Sequence, residues 1–233
     1  RLVILQGISG TGKTSLAYAW GKFLKNDATE FRYIKEYEEL ASKIILEIWV
    51  GLNDLAKKIL IICAKFNYSI SIKLVSKICG IEITTSEWKE ALKQCYEHDL
   101  LNTIFLNNPR ISMNNMVKTL VLQYENKEKF DNSVFLEKLA DFYIELTTNI
   151  DECYNELEKL KLLDEFEEWN IVLQVLNYLE KYKMHKEYII IVRKLKYYIY
   201  VRGMWEFGKN SLHLKRANFA KIINNVNEEH KLA

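Results

Sequence analysis

The spacing of apolar residues changes character along the chain. Leu2-Val3-Ile4-Leu5 is an unbroken apolar run that predicts a short buried strand ending at Gln6. From Thr14 to about Lys25, Leu16, Ala17, Trp20, Phe23 and Leu24 fall on one face of a helix. Asn26 to Glu39 is polar and charged, and Leu40 to Leu52 returns to a helical pattern. Leu55 to Ala64 predicts an apolar helix with Asp54 near its start. Ser69 or Ser71 can cap a second helix, Ile72 to Cys79, ended by Gly80, and Thr84-Thr85-Ser86 precede a third, Glu87 to His98. Leu100 to Leu106, the turn Asn107-Asn108-Pro109 and Arg110 to Met113 then predict a β-hairpin, with strands near Leu101 to Phe105 and Arg110 to Ser112. Helix, helix, helix, hairpin is the order of a winged helix.

Beyond Glu125 the expectation is helix to the end. Phe135 to Thr147, Ile150 to Leu163, Glu167 to Tyr182, Lys186 to Tyr200 and Trp205 to Asn224 each carry apolar positions at helical spacing. Helix pairs of this length stack as superhelical repeats, although no clean repeated consensus runs through them. The expected fold class is mainly α: a P-loop strand-helix remnant over residues 1–40, a winged-helix domain over 41–125 and a repeat-like helical region over 126–233.

Composition sharpens this in a few places. One proline and 8 glycines leave few punctuated turns, and 49% hydrophobic residues suffice for real cores. The 33 basic and 31 acidic residues nearly cancel, so no global field recruits nucleic acid or anionic lipid. Cys63, Cys79, Cys95 and Cys153 form no C-x-x-C pair and sit on apolar helical patterns, which favours buried reduced thiols in a cytoplasmic protein. No apolar run is long enough to span a bilayer, no signal peptide opens the chain, and no membrane partner is expected. The first residue, Arg1, already lies in the expected strand, so an excerpt or truncated product is expected.

One segment states a chemistry. Gly7-Ile8-Ser9-Gly10-Thr11-Gly12-Lys13-Thr14-Ser15 meets the pattern G-x-x-x-x-G-K-[ST] between an expected strand and an expected helix. Gly7, Gly10 and Gly12 leave room for backbone N–H groups to close on phosphate oxygens. Lys13 sets a point charge against the β/γ-phosphates, Thr14 offers a hydroxyl to Mg²⁺, and the helix opening there aims its positive end at the anion. The expected cofactor is ADP or ATP with Mg²⁺, and the alternative is a glycine turn.

The chain resembles the STAND nucleotide-dependent switches, in particular the NB-ARC or AP-ATPase branch with its bacterial relatives. The resemblance rests on Val3 to Ala17 (VILQGISGTGKTSLA), on Leu52 to Leu60, similar to the helix opening the family's winged helix, and on Ile111 to Val117, where the family carries Met-His-Asp. It covers about half of the chain. Tyr198 to Glu206 adds a likeness to the helix, R-G-x-W, helix junction of TPR-like domains. The resemblance implies a signalling switch in which nucleotide at Gly7 to Ser15 sets the position of the winged helix and hence self-association. Met113 is kept, whereas Asn114 and Asn115 replace the imidazole and carboxylate. An asparagine amide at Asn114 can donate a hydrogen bond to the β-phosphate but brings no charge.

The family's Walker B strand and sensor residues, which would lie between Lys25 and Asn53, have no counterpart there. Leu160-Lys161-Leu162-Leu163-Asp164-Glu165 imitates Walker B, but its neighbours continue an amphipathic helix. With no carboxylate for metal or water, impaired hydrolysis is expected. Two rivals stand beside the switch. One is a protein-interaction module with a vestigial P-loop, its partner held by the helical C-terminal region, where Tyr178, Tyr182, Tyr188, Tyr197, Tyr198, Tyr200 and Trp205 could line a groove or fill a core. The other is a winged-helix regulator reading DNA. The acidic residues Glu87, Glu90, Glu97 and Asp99 on the would-be recognition helix speak against it.

Overall fold

The computed structural model describes residues 43–104, 109–125, 130–151, 163–164 and 168–232. The expected strand Leu2 to Gln6, the loop Gly7 to Ser15 and the helix after it lie outside the described residues, as do most of the Ile150 to Leu163 segment and the tip of the hairpin turn.

The protein is mainly helical. In chain order the described elements are α1 (43–51), α2 (Asp54–Ala64), the two-residue strand β1 (Ile70–Ser71), α3 (Ile72–Cys79), α4 (Ser86–Glu97), β2 (Asn102–Ile104), β3 (Arg110–Ser112) and α5 (Asn115–Glu125). There follow α6 (Asn132–Asp151), α7 (Glu168–Lys181), α8 (His185–Lys194), α9 (Lys196–Val201), α10 (Trp205–Phe207), a π-helical turn (Gly208–His213) and α11 (Leu214–Leu232). They belong to two compact units. The first comprises Arg1–Lys65 and Glu82–Phe130, the second Phe66–Ile81 and Asp131–Ala233.

In the first unit α2 is the central helix, with α4 and α5 packed on it. Asn53 starts α2 by accepting the Ala56 N–H at 2.7 Å, and its own N–H donates to Gln94 Oε1 of α4 at 3.1 Å. The same residue thus caps one helix and ties it to another. Thr85 caps α4 by accepting the Trp88 N–H. Ala56, Ile59, Leu60, Trp88, Ala91, Cys95, Ile111 and Val121 are buried at its centre. β2 and β3 form an antiparallel hairpin in which Asn102 faces Ser112, Thr103 faces Ile111 and Ile104 faces Arg110. The short register keeps Ile111 fully buried while Thr103 Oγ1 donates to Tyr96 Oη at 2.8 Å.

In the second unit, α6 packs on α3 and α8, and α8 packs on α11. Leu74, Val75, Leu139, Tyr143, Ile171, Val175, Tyr188 and Ile191 form its core. Phe66, Phe135 and Tyr178 meet edge to face, each pair of ring centroids 6.3 to 6.5 Å apart. Two expectations need correction here. Lys186 to Tyr200 reads as one helix, but Leu195 (ψ −6°) separates α8 from α9. The apolar stripe Ile191, Val192, Leu195, Tyr198, Ile199 stays buried on both sides of the kink, so periodicity runs through it unchanged. Trp205 to Asn224 also reads as one helix. The structure widens its second turn to π geometry at Gly208–His213.

Among the described residues four helices end in the same way. Gly80, Asp99, Lys183 and Gly203 all have positive φ, and in each case the following N–H reaches back five residues: Ile81 to Ser76, Leu100 to Cys95, Met184 to Leu179, Met204 to Ile199. Two of the four left-handed residues are not glycine. The left-handed region costs an L side chain about 1–2 kcal/mol, and Lys183 is exposed, so Lys183→Gly should stabilise the protein by about 1 kcal/mol after the added entropy of the unfolded chain is subtracted. A urea-melt midpoint that falls instead would show that the lysine side chain contributes more than its backbone strain removes.

Candidate functional site

Of the expected nucleotide-binding residues, Gly7, Ile8, Ser9, Gly10, Thr11, Gly12, Lys13, Thr14 and Ser15 lie outside the described residues, and Asn114 lies within them. The hairpin delivers Asn114 two residues after β3, at the start of α5. Its Oδ1 accepts the Met116 N–H at 2.9 Å and its carbonyl oxygen accepts the Lys118 N–H at 2.9 Å, so the side chain begins the helix. Asparagine is one of the residues that helix starts select, which gives Asn114 a structural duty independent of any ligand. One turn on, burial pushes the Lys118 ammonium below its ordinary pKa.

The outward surface of α4 bears on the DNA alternative. Glu87, Lys89, Glu90, Lys93 and Glu97 are exposed, as are His98 and Asp99 beyond the helix end, and Lys93 is engaged with Glu97 at 3.7 Å. One lysine is thus left against the remaining acids. This face repels phosphate rather than collecting it.

The C-terminal aromatics divide. Tyr188 and Tyr198 are buried and Tyr178 joins the edge-to-face triad, whereas Tyr182 and Tyr200 are exposed. Tyr198 is anchored twice, packed against Trp169 at 5.0 Å and donating its hydroxyl to Asp164 at 2.7 Å. Asp164, the carboxylate of the Walker B imitation, is helical in the structure and also accepts from Arg202, so it serves as a tether between helices. Sequence reasoning missed a second tether, Tyr143 Oη donating to the buried Glu168 at 2.7 Å across a gap of 25 residues. No local pattern announces such a pair.

Cys63, Cys79 and Cys95 are buried, and burial pushes the Cys95 thiol up to about 12, far from any thiolate chemistry. Cys153 lies outside the described residues. Among the described residues no group of three His, Cys, Asp or Glu side chains could hold a metal ion, and no helix is long and apolar enough to cross a membrane. No protein-family model, curated protein or solved structure matches the chain.

Proposed function

We propose that the chain is a nucleotide-responsive switch module of the NB-ARC type with impaired hydrolysis, in which Gly7 to Ser15 hold the phosphates of ADP or ATP and Thr14 meets Mg²⁺. The observation that carries this reading is the element order downstream of the P-loop sequence. Helix α2, strand β1, helix α3, helix α4 and the hairpin β2–β3 follow one another as in a winged helix, and Asn114 comes directly after the hairpin. In this reading the Asn114 amide stands where a family member presents a histidine. The acidic surface of α4 counts against DNA as the ligand of such a domain.

A second reading, a protein-interaction module whose loop is vestigial, draws on the exposed apolar side chains of the helical region, among them Tyr200 at 58% and Leu214 at 59%. Equilibrium binding of labelled ADP to the full chain separates the two. The switch reading expects ADP binding that weakens about tenfold or more in Lys13→Ala, because a charge-assisted contact to phosphate is lost. It also expects no phosphate release from ATP above the level of that variant. Equal ADP binding by both proteins, or none by either, would leave the interaction module as the better account.

A further inference from the structure

Among the described residues, two buried side-chain polar atoms lack a hydrogen-bond partner, and both are imidazole nitrogens: Nδ1 of His185 and Nδ1 of His213. Both belong to the region where the C-terminal helix docks. His185, at the start of α8, stacks on Phe219 of α11 with centroids 4.3 Å apart, and Tyr188 meets the same ring edge-on at 4.9 Å. Lys215 of α11 pairs with Glu180 of α7 at 2.6 Å.

His213 closes the π-helical turn from which α11 springs. This turn is pressed against α9: a Cβ on Gly208 would lie 2.6 Å from Ile199 Cγ2 and 3.8 Å from His213 Cδ2. The charges that act on the His213 ring are Arg216 from α11 and Lys196 from α9, both cations. A neutral ring fits this setting. An imidazolium would be a third positive charge, with one N–H turned into a place that offers no acceptor.

We propose that His213 is an acid-sensitive latch on the C-terminal helix, its neutral imidazole allowing the π-helical turn and the start of α11 to dock on α8 and α9 and its protonation releasing them. Burial first, then Arg216 and Lys196, hold its pKa below the ordinary 6.5. The docked imidazole therefore takes up a proton only at lower pH than the released one. Docking is fully present above the ordinary imidazole range and weakens as pH falls through it, because the released state binds more protons there.

Amide hydrogen exchange in the full chain, at about pH 8 and about pH 5.5 and corrected for intrinsic rates, tests this, with the amides of α6 as reference. Protection over Gly208–Phe219 is expected to fall relative to α6 in the wild type, by up to about tenfold, to stay level in His213→Gln and to be low at both pH values in His213→Lys. His185→Gln should keep the wild-type fall. A wild type that shows no fall overturns the proposal, as does a fall that survives in His213→Gln or a His213→Lys chain that remains protected.

Discussion

Trp88→Ala is expected to lower unfolding stability by about 3–5 kcal/mol, among the largest losses available to one side chain in a domain of this kind. Trp88 is 2% exposed and heads the bulky residues sealed in the interior. Its backbone N–H already caps α4 through Thr85 Oγ1, and alanine keeps that bond. Alanine is also the better helix former, so neither capping nor propensity can account for a loss. What remains is the indole volume on the buried face of α4, which packs on α2, a helix whose Ile59 and Leu60 are completely buried and whose start is tied to α4 by the Asn53 N–H to Gln94 hydrogen bond. Helices tied in this way collapse little around a void. Urea denaturation should show a lower midpoint with an unchanged slope. A loss below about 1 kcal/mol would mean that the site is looser than its burial implies.

Glu125→Leu is expected to cost about 2–4 kcal/mol, a figure set by what it leaves behind. Lys65 Nζ lies 2.5 Å from Glu125 Oε1, with the two side chains only 12% and 15% exposed, and the ammonium also sits 5.0 Å from the centre of the Phe130 ring. Removing the carboxylate deprives this sheltered cation of its 2.5 Å partner, while the Phe130 ring face supplies part of the attraction. The double variant Lys65→Met/Glu125→Leu should recover most of the loss, because two well-packed apolar chains escape desolvation altogether. Added salt should change little in the wild type, since a pair this sheltered is weakly screened. If the double variant is as unstable as the single one, the pair is holding its helices in register and the electrostatic account fails.

Local signals in the sequence carried the boundaries of several elements. Thr85 and Ser71 cap the helices that follow them, and Gly80 ends α3 in the left-handed conformation glycine permits. The hairpin strands paired close to where the segments flanking Asn107-Asn108-Pro109 pointed, near Leu101 to Phe105 and Arg110 to Ser112. The candidate site was legible in a different sense. Gly7 to Ser15 match a P-loop pattern read from spacing alone, whereas the capping duty of Asn114 emerged only when α5 was seen to begin there.

Among the described residues the sequence by itself determined α2, α3, α4, the hairpin and many of the side chains that seek the interior, because capping, glycine conformation and apolar periodicity act within a few residues, whereas α5 went unannounced. Only the tertiary structure decided the kink at Leu195, the π-helical turn at Gly208–His213 and the left-handed Asp99 and Lys183. It likewise decided the pairing of Lys65 with Glu125 and of Tyr143 with Glu168. The π-helical turn and the long-range pairs depend on packing against another helix or on a neighbour distant in the chain: Ile199 against Gly208, or a cation and a carboxylate 60 residues apart. A kink inside an unbroken apolar stripe leaves the periodicity unchanged, and a long-range charge pair leaves no mark on the residues next to it.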